Sequence, residues 1–122
     1  MTNVVSSVIP HPTTIEITRG SSPLVRLSIF RVDDGQEIPY DFLGANSLRF
    51  YVKADPDDPD TGPLYEYPGA ISFVGEPSNG VVSIQFDGTQ HSAAGNWFFR
   101  LDAHKGSPVS TVAYGQFHVT TG

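Results

Sequence analysis

Four aspartates fall within six positions, Asp55, Asp57, Asp58 and Asp60, the densest group of metal-capable side chains in the chain. Hard oxygen ligands spaced this closely on a loop are the chemistry that holds Ca²⁺. The calcium-loop pattern wants alternating ligands, a central glycine and a distal glutamate, and Pro56 and Pro59 interrupt it here. The four are therefore weak calcium candidates beside a plainer reading, a proline-stiffened, solvated loop tip. His11, His91, His104 and His118 include no pair with zinc spacing, and there is no cysteine to complete such a site. His104 and His118 are expected near one another on the last hairpin, as exposed strand residues and not as a metal or pH site. No Gly-x-Ser-x-Gly elbow frames a serine. Asp87 and Asp102 fall in different turns or faces, with no sign of the shared pocket that paired-carboxylate cleavage needs. The expectation is no catalytic residue, no cofactor and no enzyme activity.

The elements that carry these residues read as strands. Gly95 to His104 and Val109 to Thr120 are two aromatic-rich, β-branched runs around Lys105-Gly106-Ser107-Pro108, a closing hairpin. Ser47 to Lys53 alternates cleanly, with Leu48, Phe50 and Val52 on one face and Arg49, Tyr51 and Lys53 on a face that should meet solvent or a polar interface. Thr13 to Thr18, Pro23 to Val32, Glu37 to Tyr40, Leu64 to Tyr67, Ala70 to Val74 and Val81 to Phe86 are further extended runs. Asp33-Asp34-Gly35 marks a tight hairpin turn, and Gln90 to Ala94 could make one helical turn. Seven to nine strands at roughly ten-residue spacing predict an all-β, antiparallel sandwich.

Composition bounds the rest. At 122 residues the chain is one domain, large enough to bury a core without disulfides, and zero cysteines leave the redox compartment open. Twelve glycines and ten prolines suit short strands joined by tight turns. A net charge of −6, with only seven scattered lysines and arginines, argues against nucleic acid. No run is long enough for a membrane-spanning helix. No basic residue precedes the short apolar patch near the N-terminus, so it does not read as a secretory signal and the product is expected in the cytoplasm where it is made.

Two surfaces invite partners. If Trp97, Phe99 and Leu101 face the core, Phe98 and Arg100 lie outside, with Val112 and Tyr114 on the matching outer face of the next strand. Aromatic residues and arginine are enriched at interfaces, and Tyr51, Tyr65 and Tyr67 could extend the patch. Residues 1–12 form an uncharged N-terminal arm ahead of the sandwich at 13–122. Such a tail is ordered only when tied down, so Val4, Val5, Val8 and Ile9 are expected to lie on a neighbour, adding a strand to its sheet edge. The alternative is packing on its own domain.

The order of these pieces resembles the immunoglobulin-like N-terminal domain of the upper baseplate proteins of tailed bacteriophages and related small virion proteins. The likeness is carried by Thr18-Arg19-Gly20, Leu24-Val25-Arg26-Leu27, the turn at Asp33-Asp34-Gly35, the corner Leu43-Gly44-Ala45 and the strand Leu48 to Lys53. Later come Gly80 to Ile84, Ala94 to Phe99 and Gly115 to Val119. The resemblance covers most of the chain from Thr13 onward, and it departs at the acidic loop and in having no receptor-gripping part after Gly122. It implies an immunoglobulin-like sandwich and a non-enzymatic structural role in the tail or baseplate, with localisation in the virion. Its partners would be other virion proteins and copies of itself. A capsid decoration protein is the alternative, and a carbohydrate-binding module for host attachment, stacking sugars on Trp97 or Tyr114, is a further one.

Overall fold

The computed structural model describes residues 2–106 and 109–121. Ser107 and Pro108 of the expected closing turn lie outside them. Ten strands follow in order: β1 (Thr2–Ile9), β2 (Thr13–Thr18), β3 (Leu24–Asp33), β4 (Gln36–Pro39), β5 (Ser47–Lys53), β6 (Leu64–Glu66), β7 (Ile71–Phe73), β8 (Val81–Gln85), β9 (Gly95–His104) and β10 (Val109–Thr120). They form two five-stranded sheets, one ordered β1-β3-β8-β7 with β4 also on β3, the other β2-β10-β9-β5-β6. The fold is an all-β sandwich.

Period-two alternation built it. Ile15 and Ile17, Val25, Leu27 and Ile29, Leu48, Phe50 and Val52, Phe99 and Leu101, and Phe117 and Val119 all turn into one core. Each large side chain removed from water contributes about 1.5–3 kcal/mol. Phe50 sits at the centre, stacked on Phe99 at 5.2 Å and edge-on to Phe86 at 5.4 Å between ring centroids. The turn at Asp34 and Gly35 takes φ of 53° and 78°, the two positive values that a tight hairpin between twisted strands requires. The expected helical turn lies slightly earlier, at Gly88–Gln90, because Asp87 caps it by accepting from the Thr89 amide at 3.0 Å.

The sheets differ from the expectation in being mixed. β1 runs parallel to β3, and β2 runs parallel to β10, while the other pairings are antiparallel. The chain leaves the edge of the first sheet at Ile9, turns through residues 10–12, and joins the edge of the second. The turn is closed by the His11 amide on the Val8 carbonyl at 2.6 Å.

The N-terminal segment is therefore not a separate arm lying on a neighbour. It is a strand of the chain's own first sheet, with Val5 and Ile9 packed against the core and Val4 left 68% exposed. Ser7 shares the inward face, is 1% exposed, and its hydroxyl meets no hydrogen-bond partner among the described residues. A buried hydroxyl without a partner costs about 1–3 kcal/mol. Ser7→Ala should raise stability by about 1 kcal/mol, visible as a higher urea midpoint at unchanged slope.

Candidate functional site

The outer face of the second sheet is a lattice of polar and aromatic side chains set by register. One row crosses the strands as Lys53, Phe98, Gln116 and Thr14. The next runs Tyr51, Arg100 and Tyr114. Over the middle of these rows lies a groove of about 690 Å³, with Pro56 on one side and Pro12 on the other. That volume falls in the range of ligand-sized sites, and its floor is strand backbone, the most rigid support a fold offers.

Three of the residues expected on this surface meet in the groove: Phe98, Arg100 and Tyr114. Tyr114 is 41% exposed and its hydroxyl donates to the Pro10 carbonyl at 2.6 Å, which ties the β1–β2 turn to the rim. Val112 is not with them. It is 1% exposed and belongs to the core, because Asp102 pairs with Thr111 while Leu101 pairs with Ala113. The extra residue in this bulge is Val112, and the bulge resets the alternation so that Thr111 takes the outer position. Trp97 is half-buried against the core beside His91, away from the groove. Tyr65 is a core residue and Tyr67 packs against the core on Phe73, so neither extends the patch.

The acidic loop is a latch. Asp60 receives Lys53 Nζ and, at 2.9 Å, Arg100 Nη2. Lys53 Nζ also donates to the Asp58 carbonyl at 2.9 Å. Arg100 Nε sits 3.0 Å from both oxygens of the buried Asp102 carboxylate, which also accepts the Thr111 hydroxyl at 2.8 Å. Beneath, Tyr51 is buried, with the Arg100 guanidinium 4.6 Å from its ring centre. The face of Tyr51 and Lys53, expected to meet solvent or a polar interface, is thus buried at both residues, Tyr51 under Arg100 and Lys53 against the polar groups of Asp58 and Asp60. Hydrogen bonds from Lys53 and then Arg100 hold the Asp60 carboxyl below the usual carboxylate range.

Asp55 and Asp58 serve the loop's own backbone. Asp55 accepts the Asp57 amide at 3.0 Å and Asp58 the Asp55 amide at 3.1 Å. Among the described residues no group of three or more His, Asp or Glu side chains converges as a metal site, so the calcium candidates are not assembled into one. His104 and His118 pair with Val109 and Asn96 respectively, which puts them at opposite ends of the hairpin, about 26 Å apart. His118 lies instead 3.5 Å from Glu16.

One constellation went unread in the sequence. His91 is buried, with Nε2 2.6 Å from the Tyr65 hydroxyl and its ring against Phe86 and Phe117. The Asp87 amide donates to that same hydroxyl at 3.3 Å, so the Tyr65 oxygen joins the loop backbone to the imidazole. Burial pushes the His91 imidazole down, outweighing the nearby Asp87 charge. Only Tyr65, on a short strand, and His91, in a loop, make this pair, and no local spacing links them. The sequence matches no protein-family model and no curated protein.

Proposed function

We propose that the chain is a non-enzymatic structural component of a tailed-phage virion, acting by protein–protein contact through the groove over β9 and β10. The observation that carries the contact surface is the convergence of Phe98, Arg100 and Tyr114 in one groove on rigid strands. These residue types dominate binding energy at interfaces. The two cations of the groove, Lys53 and Arg100, are already paired with Asp60 and Asp102, so the surface suits a largely uncharged segment of a partner. The sequence resemblance supports the tail or baseplate as the place, with capsid decoration as the alternative.

Location is tested by gold-labelled antibody on intact particles under the electron microscope. Label at the tail tip supports the baseplate; label over the shell supports decoration; no label on any particle counts against the virion reading. The surface is tested separately with Phe98→Gln and Tyr114→Ser, positions outside the core. Each should weaken incorporation or partner binding about ten- to a hundred-fold while the chain stays folded. Tyr114 beside the Gln116 amide also suits a sugar ring, which favours carbohydrate binding as the second reading. Glycan-array binding that disappears in Tyr114→Ser would make that reading the better one.

A further inference from the structure

Among the described residues, every hydrogen bond from the acidic loop at 55–60 to the second sheet ends on Lys53 or Arg100. The other hydrogen bonds of these residues stay within the loop. Asp60 makes both charged contacts, yet its side chain is 44% exposed. Ion pairs open to water on one side are weak. The cations are held quite differently. Lys53 lies on an inner strand and is only 8% exposed. Arg100 lies on the adjacent strand, locked by both oxygens of Asp102 at 3.0 Å and set 4.6 Å from the Tyr51 ring centre. A buried ammonium needs an anion beside it. The sheet therefore holds two cations ready for one carboxylate, in the wall of the groove, and a loop side chain fills the place.

We infer that Lys53 and Arg100 form a carboxylate-binding site in the groove, where Asp60 stands in for a glutamate or aspartate side chain of the partner. The protein source of that carboxylate rests on the reading of the groove as a protein contact surface. Charge decides for an anion. With Asp60 gone, two cations and the Asp102 carboxylate leave a single positive charge, which one carboxylate neutralises. Exchanging one carboxylate for another keeps Lys53 paired, so its burial carries no unpaired charge. The chain's −6 is spread over its surface and screened beyond about 8 Å in physiological salt. It bears on the rate of approach more than on the strength of this contact. The rest of the partner segment stays uncharged and lies along Phe98 and Tyr114. Asp60 competes from within the chain, lowering the apparent affinity by the fraction of molecules in which the site is free. A segment without a carboxylate gains nothing there, which makes the pair of cations a determinant of specificity.

The test is a titration of the full chain with N-acetylglutamate α-amide, followed by nuclear magnetic resonance at the Lys53 and Arg100 side-chain nitrogens. Sodium chloride is adjusted to hold ionic strength constant. The glutamine analogue is the uncharged control, and glucuronate tests an acidic sugar as the source. Asp60→Asn removes the internal competitor and should bind the glutamate probe about ten-fold more tightly than wild type. Lys53→Met added to Asp60→Asn should abolish that gain. The glutamine analogue should bind none of them. Equal affinity of wild type and Asp60→Asn overturns the inference, as does a glutamine analogue that binds as well as the glutamate probe. So does an Asp60→Asn chain whose signals show no saturable shift up to about 100 mM probe. Glucuronate binding more tightly than the glutamate probe overturns the protein source. Probe binding reads this site alone, whereas incorporation of Phe98→Gln reads the groove as a partner surface, so failure of one and failure of the other are distinguishable.

Discussion

Gly115→Ala should cost about 4 kcal/mol, a large part of the 5–15 kcal/mol that holds an ordinary domain together. Gly115 pairs with Phe99 on one side and Thr13 on the other, at a φ of +151°. A Cβ built there would overlap the Thr13 carbonyl oxygen, and its other near neighbours are also Thr13 backbone, which cannot swing aside. Overpacking against backbone costs about 1–3 kcal/mol, and the positive φ adds about 1–2 kcal/mol for a residue with a side chain. The relief available is to move β2 off β10, which would also displace Pro12 and Thr14 from the groove rim. Urea unfolding gives the energy, and hydrogen exchange at β2 amides gives the place. Gly44→Ala is the control: φ is +87°, nothing lies within 4 Å, and only the conformational cost of about 1 kcal/mol applies. Equal losses in the two variants would show that β2 does not press on β10 at Gly115.

Acid should destabilise the domain in two separate windows. His91 is held neutral by burial, so its folded pKa lies below the unfolded value of about 6.5. Below that value the unfolded chain takes a proton that the folded chain refuses. Stability from His91 is therefore full above pH 6.5 and falls with pH from there, by at most about 1.4 kcal/mol per unit. Asp60 and Asp87 have lowered values, from the Lys53 and Arg100 bonds in one case and from Thr89 in the other. Their contribution persists to about pH 4 and is lost only below it. His91→Gln keeps a polar partner for the Tyr65 hydroxyl and cannot titrate. It should be less stable than wild type at pH 7.5 and flat between pH 6.5 and 5, where wild type slopes. A slope that survives the substitution would assign the upper window to another group.

The strands themselves were legible because alternation at period two is a local property. Leu48, Phe50 and Val52 announce their inward face without reference to any neighbour, and so do Ile15 and Ile17. Gly and Asp at positions 33–35 announced their turn for the same reason: positive φ is a constraint on single residues. Phe98, Arg100 and Tyr114 were placed correctly on an outer face by the same counting. Val112 was not, since a bulge shifts the count by one and is defined by the partner strand, not by the residues that carry it.

What tertiary structure alone decided is everything that depends on which segments meet. The aspartates at 55–60 have a composition suited to calcium, yet their role is fixed by Lys53 and Arg100 on two strands of the second sheet. His91 and Tyr65 are 26 positions apart and touch only because the core closes between them. The uncharged stretch from Thr2 to Ile9 had equal reason to pair with a neighbour or with β3, because a strand's bonding groups are the same in every strand. Sequence determined which residues are extended and which face is apolar; the choice of edge, register and direction came from the packing of the two sheets, where pairing energy depends on geometry shared between distant residues and not on either segment alone.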